Sequence, residues 1–547
     1  MRRLVSLGAF LAFLLLLPPP AWADGFGLPR IQRSRGRYSL IVDGAPFVML
    51  GAQANNSSNN EQSLPQVWQT IGQLHANTLE MPVAWEQVEP LEGHFDFRFV
   101  DALLEQARAH QVRLVLLWFA TWKNGGSGYA PEWVKTNVTR FPRKRDATGN
   151  HLSAPSPLGL ETLNADKRAF AMLMQHLAER DRQNTVIMMQ VENEPGAFGV
   201  PRDMSMQATR LFDQQVPQEL TKGLNKKPGT WRAVFGKLAE QAFTSWHTAR
   251  FINAVAAAGK AEKALPMYVN SALSDPLSSA GDPKWVSSGS PDWNMINVWK
   301  AAAPNIDLVA PDIYTNDWSK VSAYLDAYHR PDNALFVPEI GNDASFARFA
   351  WLAIGRGAIG FSPFGMDATG YSNYPLGAKQ LDAATIEAFA APYRLLSTSM
   401  RGWAKLSQQD LGWGFAKDST ARDQSSVMGR WKVTAQFDRW QIGDESWTFA
   451  KPDPAPSKGL PLGGGMVLQT GRDEFLVAGN DARIRFALAP AGNDAHWQYL
   501  SVDEGELDAD GHWIERRRWN GDQTDYGLNL AQPVVLRVRL ASLGENP

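Results

Sequence analysis

The sequence predicts an α/β chain, a (β/α)8 TIM barrel followed by a C-terminal all-β, sandwich-like domain. Two patterns carry that expectation. From about residue 37 to 405, short apolar runs alternate with amphipathic stretches of helical period. Beyond Ser407 the runs become short and alternating, with turn residues between them. At ~150 residues per domain, the length allows three or four units; a barrel that takes ~250 residues or more brings the number to two.

Taken in order, the chain opens on an address. Arg2 and Arg3 precede an apolar run, Leu4 to Leu17, and Ala21-Trp22-Ala23 supplies a small-x-small cleavage site. The run is short of the ~20 residues that a membrane span needs. The expected divisions are a signal peptide over 1–23, a catalytic barrel over 24–405 and a β-rich accessory domain over 406–547. An exported protein, periplasmic or extracellular and free of the membrane after cleavage, is the expectation.

Eight near-continuous apolar runs read as buried parallel strands. They are Phe47–Ala52, Asn77–Val83, Val112–Phe119, Thr185–Val191, Pro266–Asn270, Ile306–Pro311, Leu335–Pro338 and Ala358–Ser362. Helical patterns fall between and after them. Val100, Leu103, Leu104 and Ala107 share one face, and further helices are expected over Lys167–Arg182, Ala239–Lys260, Trp293–Ala303, Ser319–His329, Ala344–Arg356 and Ala383–Lys405. Two long connections, Phe119 to Ala165 and Gly196 to Ala239, follow strand C-termini, where a barrel carries its active face. In the last part, Lys432–Phe437, Glu474–Val477, Arg483–Leu488 and Val534–Leu540 alternate, with Gly479-Asn480-Asp481 and Asn520-Gly521-Asp522 as turns.

Composition narrows the chemistry. With 44% hydrophobic and 20% charged residues, the chain is not disordered. Lys+Arg 54 against Asp+Glu 56 leaves no basic excess for nucleic acid. The absence of Cys removes disulfides, thiolate metal sites and Cys nucleophiles. The nine His show no HExxH or clustered spacing, and no GxSxG or phosphate-binding loop appears. No metal and no cofactor is expected. The 21 Trp suit a protein that stacks sugar rings, although many belong to a core.

Two segments stand out. In Met189-Gln190-Val191-Glu192-Asn193-Glu194-Pro195-Gly196, an apolar strand ends in carboxylates and an amide, then breaks. In Phe336-Val337-Pro338-Glu339-Ile340-Gly341-Asn342, a second carboxylate closes a second strand. Carboxylates at strand ends cost several kcal/mol unless solvated, paired or used. Glu194 and Glu339 would end strands four and seven and face each other across the mouth. Two facing carboxyls suit glycosidic cleavage, one donating a proton to the leaving oxygen and the other attacking carbon or activating water. A pair of loop-end salt bridges is the plainer alternative.

The Asn193-Glu194 pair at the fourth strand end and Glu339 at the seventh resemble the retaining (β/α)8 glycosidase clan. The fuller run from Gln190 to Gly196 resembles glycoside hydrolase family 35, the β-galactosidases, which carry Tyr where Pro195 stands. Ala120-Thr121-Trp122-Lys123-Asn124-Gly125-Gly126 with Pro131-Glu132-Trp133 resembles that family's third-strand loop. Trp85-Glu86-Gln87-Val88-Glu89-Pro90 with Phe95-Asp96-Phe97 is similar to both family 35 and family 42, and Pro311-Asp312-Ile313-Tyr314 recurs among these relatives.

The resemblance implies that Glu194 is the acid/base and Glu339 the nucleophile. It implies that Asn193 holds the sugar 2-hydroxyl and Tyr314 orients the nucleophile. Glu192 is then a neighbouring support or a sugar-hydroxyl contact. The family has a galactose-binding Glu where this chain has Thr121, so Glu80 or Glu86 is expected to supply that acceptor. Glu80, Asn55 and Asn56 fall near strand ends one and two, as hydroxyl binders or as ordinary buried partners. Trp118, Trp122, Trp133 and Trp318 lie on or beside mouth loops, to stack on sugar or to pack the loops. The expected function is an exported retaining exo-β-glycosidase, a β-galactosidase releasing terminal galactose from plant-type oligosaccharides. The alternatives are another clan enzyme (arabinosidase, glucosidase or endo-glucanase) and a non-catalytic carbohydrate-binding protein.

Overall fold

In the computed structural model, eight apolar runs close into a parallel barrel, each strand bonded to the next in sequence order. The structure describes residues 27–278, 287–408, 411–439, 455, 457–489 and 496–543. The expected signal peptide lies outside them. The strands are β1 (Met49–Gln53), β2 (Thr78–Ala84), β3 (Arg113–Lys123), β4 (Val186–Asn193), β5 (Met267–Ala272), β6 (Leu308–Ile313), β7 (Val337–Ile340) and β8 (Gly360–Pro363). Every residue in them is buried apart from half-buried Ala272, which is why they read as apolar runs without alternation.

A helix follows each strand and covers the barrel. These are α1 (Leu64–Leu74), α2 (Arg98–Ala109), α3 (Leu160–Arg180), α4 (Ala239–Glu262), α5 (Ile296–Ala302), α6 (Trp318–Tyr328), α7 (Phe349–Gly355) and α8 (Ala383–Ser407). On α2 the buried residues are Val100, Leu103, Leu104 and Ala107, the face expected from spacing. The helix expected over Ala344–Arg356 divides into a short turn, Ala344–Phe346, and α7.

Two differences from the sequence reading matter for the site. First, β3 continues to Lys123, four residues past its expected end, and pairs there with Asn193 after a register shift. Second, β7 starts and ends two residues later than expected, so Glu339 lies inside it. An antiparallel sheet that sequence reasoning missed (Arg30–Ser34, Arg37–Val42 and Ala45–Phe47) precedes β1. It is tied to α8 by Arg401, which donates to the Val42 carbonyl at 2.8 Å.

The C-terminal part forms two antiparallel sheets of six and four strands. Phe475, Val477, Leu536 and Val538 of one pack with Trp431, Val433, Ile484 and Phe486 of the other into a core of their own. The strand Leu411–Ala416 lies hard against α7. A Cβ on Gly414 would come 2.6 Å from the Leu352 carbonyl oxygen, so no side chain fits there. Trp351 of α7 donates to the Asn480 amide oxygen at 2.8 Å, and Arg348 to the Pro461 carbonyl at 2.7 Å.

Candidate active site

The C-terminal ends of the strands surround a cleft of about 500 Å3 that holds Glu194, Asp312 and Glu339. Glu339 arrives on β7, with both oxygens engaged. Its Oε1 accepts the Tyr314 hydroxyl at 2.5 Å, and its Oε2 accepts the Gln53 amide at 3.0 Å. Glu194 is the first residue beyond β4. Its φ of +44°, with +65° at Glu192, puts two non-glycine residues in the left-handed region beside the site. The following Gly196 (φ +142°) is required, since a Cβ would meet the Ser288 carbonyl oxygen at 2.7 Å.

One carboxyl oxygen from each of Glu194, Asp312 and Glu339 lies within 4.8 Å of the others. Burial and the negative charge of Glu339 push the Glu194 pKa up to about 7, against the pull of the Lys123 ammonium and a hydrogen bond with Asp312. Burial, then Glu339 and Glu194, hold the Asp312 carboxyl well above the usual range. Among the described residues, these three carboxyls are the one acidic group close enough to surround a cation. They include the facing pair itself, and raised pKa values mean that protons offset part of their charge.

The amide of Asn193 is locked in a buried network. Its Oδ1 accepts from Gln190 and Asn270 at 3.1 and 3.0 Å, and its Nδ2 donates to Asn124 at 3.1 Å. Tyr314 stands on Glu339. Glu80 does not reach the cleft wall. It is wholly buried in the barrel, takes the Tyr268 hydroxyl at 3.0 Å, and has its pKa raised to about 8 by burial. Asn55 is also buried, its backbone and side-chain amides donating to Asp367 at 2.7 and 2.8 Å. Asn56 does line the cleft.

Other expectations are corrected. Glu86 faces a different depression and pairs with Lys135 at 2.6 Å, because the short helix Trp85–Val88 turns it outward. Trp122 is fully buried, packed edge-on against Phe251 at 4.8 Å, so its face is closed to a ring. Trp118 is fully buried with its indole N–H on Asp166, Trp133 packs against Trp85, and Trp318 starts α6 outside the cleft lining. The Thr121 hydroxyl donates to Asp166 at 2.5 Å, away from the cleft. The cause is the prolonged β3, whose last turn Glu192 anchors by accepting the Thr121 and Trp122 amides at 3.3 and 2.6 Å. Glu192 is therefore a support of that loop.

Sequence reasoning did not single out the groups that line the cleft instead. Lys123 and Asn124 sit at the end of β3, with the Lys123 ammonium donating to Asn124 at 2.6 Å. At the rim, Phe198 is 50% and Tyr371 63% exposed. Aromatics in loops rich in Gly and Asn were the available signal. A cavity of about 400 Å3 near the N-terminal sheet is lined by no carboxylate.

Comparisons with known proteins bear on this cleft. Residues 55–252 match the model of glycoside hydrolase family 42, described as beta-galactosidase. That stretch is β-galactosidase-like. It contains Glu194 and the Trp85–Phe97 motif common to families 35 and 42, and stops before Tyr314 and Glu339. Residues 389–531 match a domain of unknown function, DUF5597. A β-galactosidase of Xanthomonas manihotis is 28% identical over 205 residues, 34% of this chain and 30% of that protein. Among solved structures, β-galactosidases of Marinomonas ef1 (12% identity, TM-score 0.48, 64% of this chain and 59% of that one) and Rahnella sp. R3 (15%, 0.47, 68% and 59%) are similar. The chain spans less than a third of the curated relative's length and about three fifths of these two structures'.

Proposed function

We propose that this protein is a retaining exo-β-glycosidase of the family 35 and 42 type, a β-galactosidase that releases terminal galactose from plant-type oligosaccharides after export. The observation that carries the reading is that one carboxyl oxygen of Glu194 lies within 4.8 Å of one carboxyl oxygen of Glu339. Retaining pairs stand about 5–5.5 Å apart, whereas inverting pairs leave about 6.5–9.5 Å for a water.

The reaction then runs in two steps. Glu339 attacks the anomeric carbon as the glycosidic C–O bond breaks, and Glu194 gives its proton to the leaving oxygen. A glycosyl ester on Glu339 results. Glu194, now ionised, takes a proton from water, whose oxygen attacks the anomeric carbon and frees Glu339. A pKa near 7 suits a group that must be acid and then base. No cofactor is needed.

Galactose is supported by the description of the matched family and by the relative's name. One observation favours a second reading. The position where the resemblance places a galactose-binding Glu is Thr121, committed to Asp166, and neither Glu80 nor Glu86 lines the cleft. The amides at that wall are Asn124, whose oxygen already accepts from Lys123 and Asn193, and Asn56, so another β-glycoside is the competing substrate. Measuring kcat/KM on aryl β-galactoside, β-glucoside and α-L-arabinopyranoside decides. Galactoside is expected to lead. A glucoside preference of roughly tenfold or more overturns the sugar and leaves the two-carboxyl mechanism standing.

A further inference from the structure

Asp312 is the third carboxyl of the cleft, and the mechanism above gives it no role. It sits on β6 in register with Glu339 of β7 and Ala272 of β5. Asn270, on β5, fixes it. The Asn270 Nδ2 donates to Asp312 Oδ2 at 2.7 Å, while the Asn270 Oδ1 accepts the Glu194 backbone N–H at 2.9 Å. One amide therefore ties the Asp312 side chain to the backbone of Glu194. The other oxygen, Oδ1, is buried and has no donor among the described residues. A buried oxygen left without a partner costs about as much as a lost hydrogen bond.

We infer that Asp312 is a positioning residue: a carboxyl that keeps its own proton on Oδ1, donates it to one oxygen of Glu194, and so leaves the other Glu194 oxygen to carry the catalytic proton toward the leaving group. The inference rests on the proposed role of Glu194. A proton on Oδ1 satisfies the orphaned atom and removes a charge from a cluster of three acids.

The surroundings agree. The groups facing Asp312 are Glu194 after β4, Glu339 on β7, Lys123 on β3, Tyr268 on β5, Tyr314 after β6 and Tyr328 on α6. Lys123 is the single cation among them, and its ammonium is held on Asn124. Burial first, then the neighbouring Glu339 and Glu194 carboxyls, favour neutral Asp312. With its donated hydrogen bond, neutral Asp312 lowers the pKa of Glu194. An ionised Asp312 would raise it.

That difference in sign gives the test. Asp312→Asn places an N–H where the acid proton stood and keeps an acceptor for Asn270; Asp312→Ala removes both. For each, kcat/KM is measured against pH on aryl glycosides with good and poor leaving groups. The basic limb is expected to move up by about one pH unit in Asp312→Ala. The Asn variant's limb should stay nearer the wild type's. The loss in kcat should be at least tenfold larger for the poor leaving group in Asp312→Ala, because the acid proton is misplaced, and Asn should restore most of it. A downward shift in either variant, or an unmoved limb and leaving-group dependence in Asp312→Ala, overturns the inference. Infrared difference spectra of wild type against Asp312→Asn at neutral pH give a reading that does not depend on the Ala variant folding. Loss of a neutral-acid carbonyl band is expected, and loss of a carboxylate band alone overturns it. Failure of the underlying reading is distinguishable, since the stereochemistry of the wild-type product tests it without any change at Asp312.

Discussion

Asp312 at the barrel mouth and Asp503 in the sandwich are both buried carboxyls, and their environments are opposite in sign. Asp503 accepts Arg518 at 2.8 Å and Ser501 at 2.9 Å, with Arg537 at 3.5 Å. Burial pushes its pKa up, but the Arg518 and Ser501 hydrogen bonds and the guanidinium charges outweigh burial, and it ends below the usual range. Asp312 has carboxyls for neighbours and ends well above. Burial alone therefore does not mark a reactive acid. A buried acid beside a cation supports the fold; one beside other acids is held ready to exchange a proton.

Glu339→Gln should lower kcat on the order of 10⁴-fold or more with substrate still bound, because an amide cannot form the glycosyl ester. Steady-state kinetics with an activated aryl glycoside check it. Near-normal turnover would remove Glu339 as nucleophile.

The pH dependence sharpens the contrast. Glu194 must be protonated at the start, so kcat/KM should fall as pH rises through about 7. Stability follows the same group. Its folded pKa lies above the unfolded 4.5, so the contribution is fully present below about pH 4.5 and is lost as pH rises to about 7. The loss is on the order of 3 kcal/mol. Thermal unfolding at pH 5 and pH 8 should show wild type losing stability relative to Glu194→Gln. A pH-independent difference would contradict the assignment. Asp503 runs the other way, stabilising above the unfolded value of 3.8 and losing that as pH falls.

A smaller effect belongs to the sandwich. Asp503→Ala should cost about 1.5–3 kcal/mol, the range for hydrogen bonds to charged groups, with kcat/KM per folded molecule unchanged. Arg518 is half exposed, so its orphaned charge returns to water. Denaturant unfolding measures the cost; a fall in kcat/KM would tie the two regions together.

Smaller still is Glu86→Gln. Its pair with Lys135 is half-buried and open to solvent screening, so the change should cost about 1 kcal/mol or less and alter kcat/KM by less than about threefold. A large drop in galactoside affinity would return Glu86 to the cleft.

Much of the barrel was legible, because strands buried on both faces leave unbroken apolar runs and α2 shows its face by spacing. Glu194 and Glu339 were legible as carboxyls closing such runs. The rest failed for physical reasons. Trp122 and Thr121 were placed at the mouth, but β3 runs on to Lys123 and carries both inside the strand, where Thr121 bonds Asp166 on one face and Trp122 packs on Phe251 on the other. Asp312 was noted as part of a motif and given no role, since its meaning comes from Asn270 and Glu194, which approach it from other strands. The N-terminal sheet was missed because its strands are short and only partly buried.

A double displacement through Glu339 and Glu194 retains the configuration of the anomeric carbon. Proton NMR of the first-formed sugar from an aryl β-galactoside, recorded before mutarotation, tests it most directly. The β anomer is expected. Release of the α anomer would mean a single displacement by water and would contradict it.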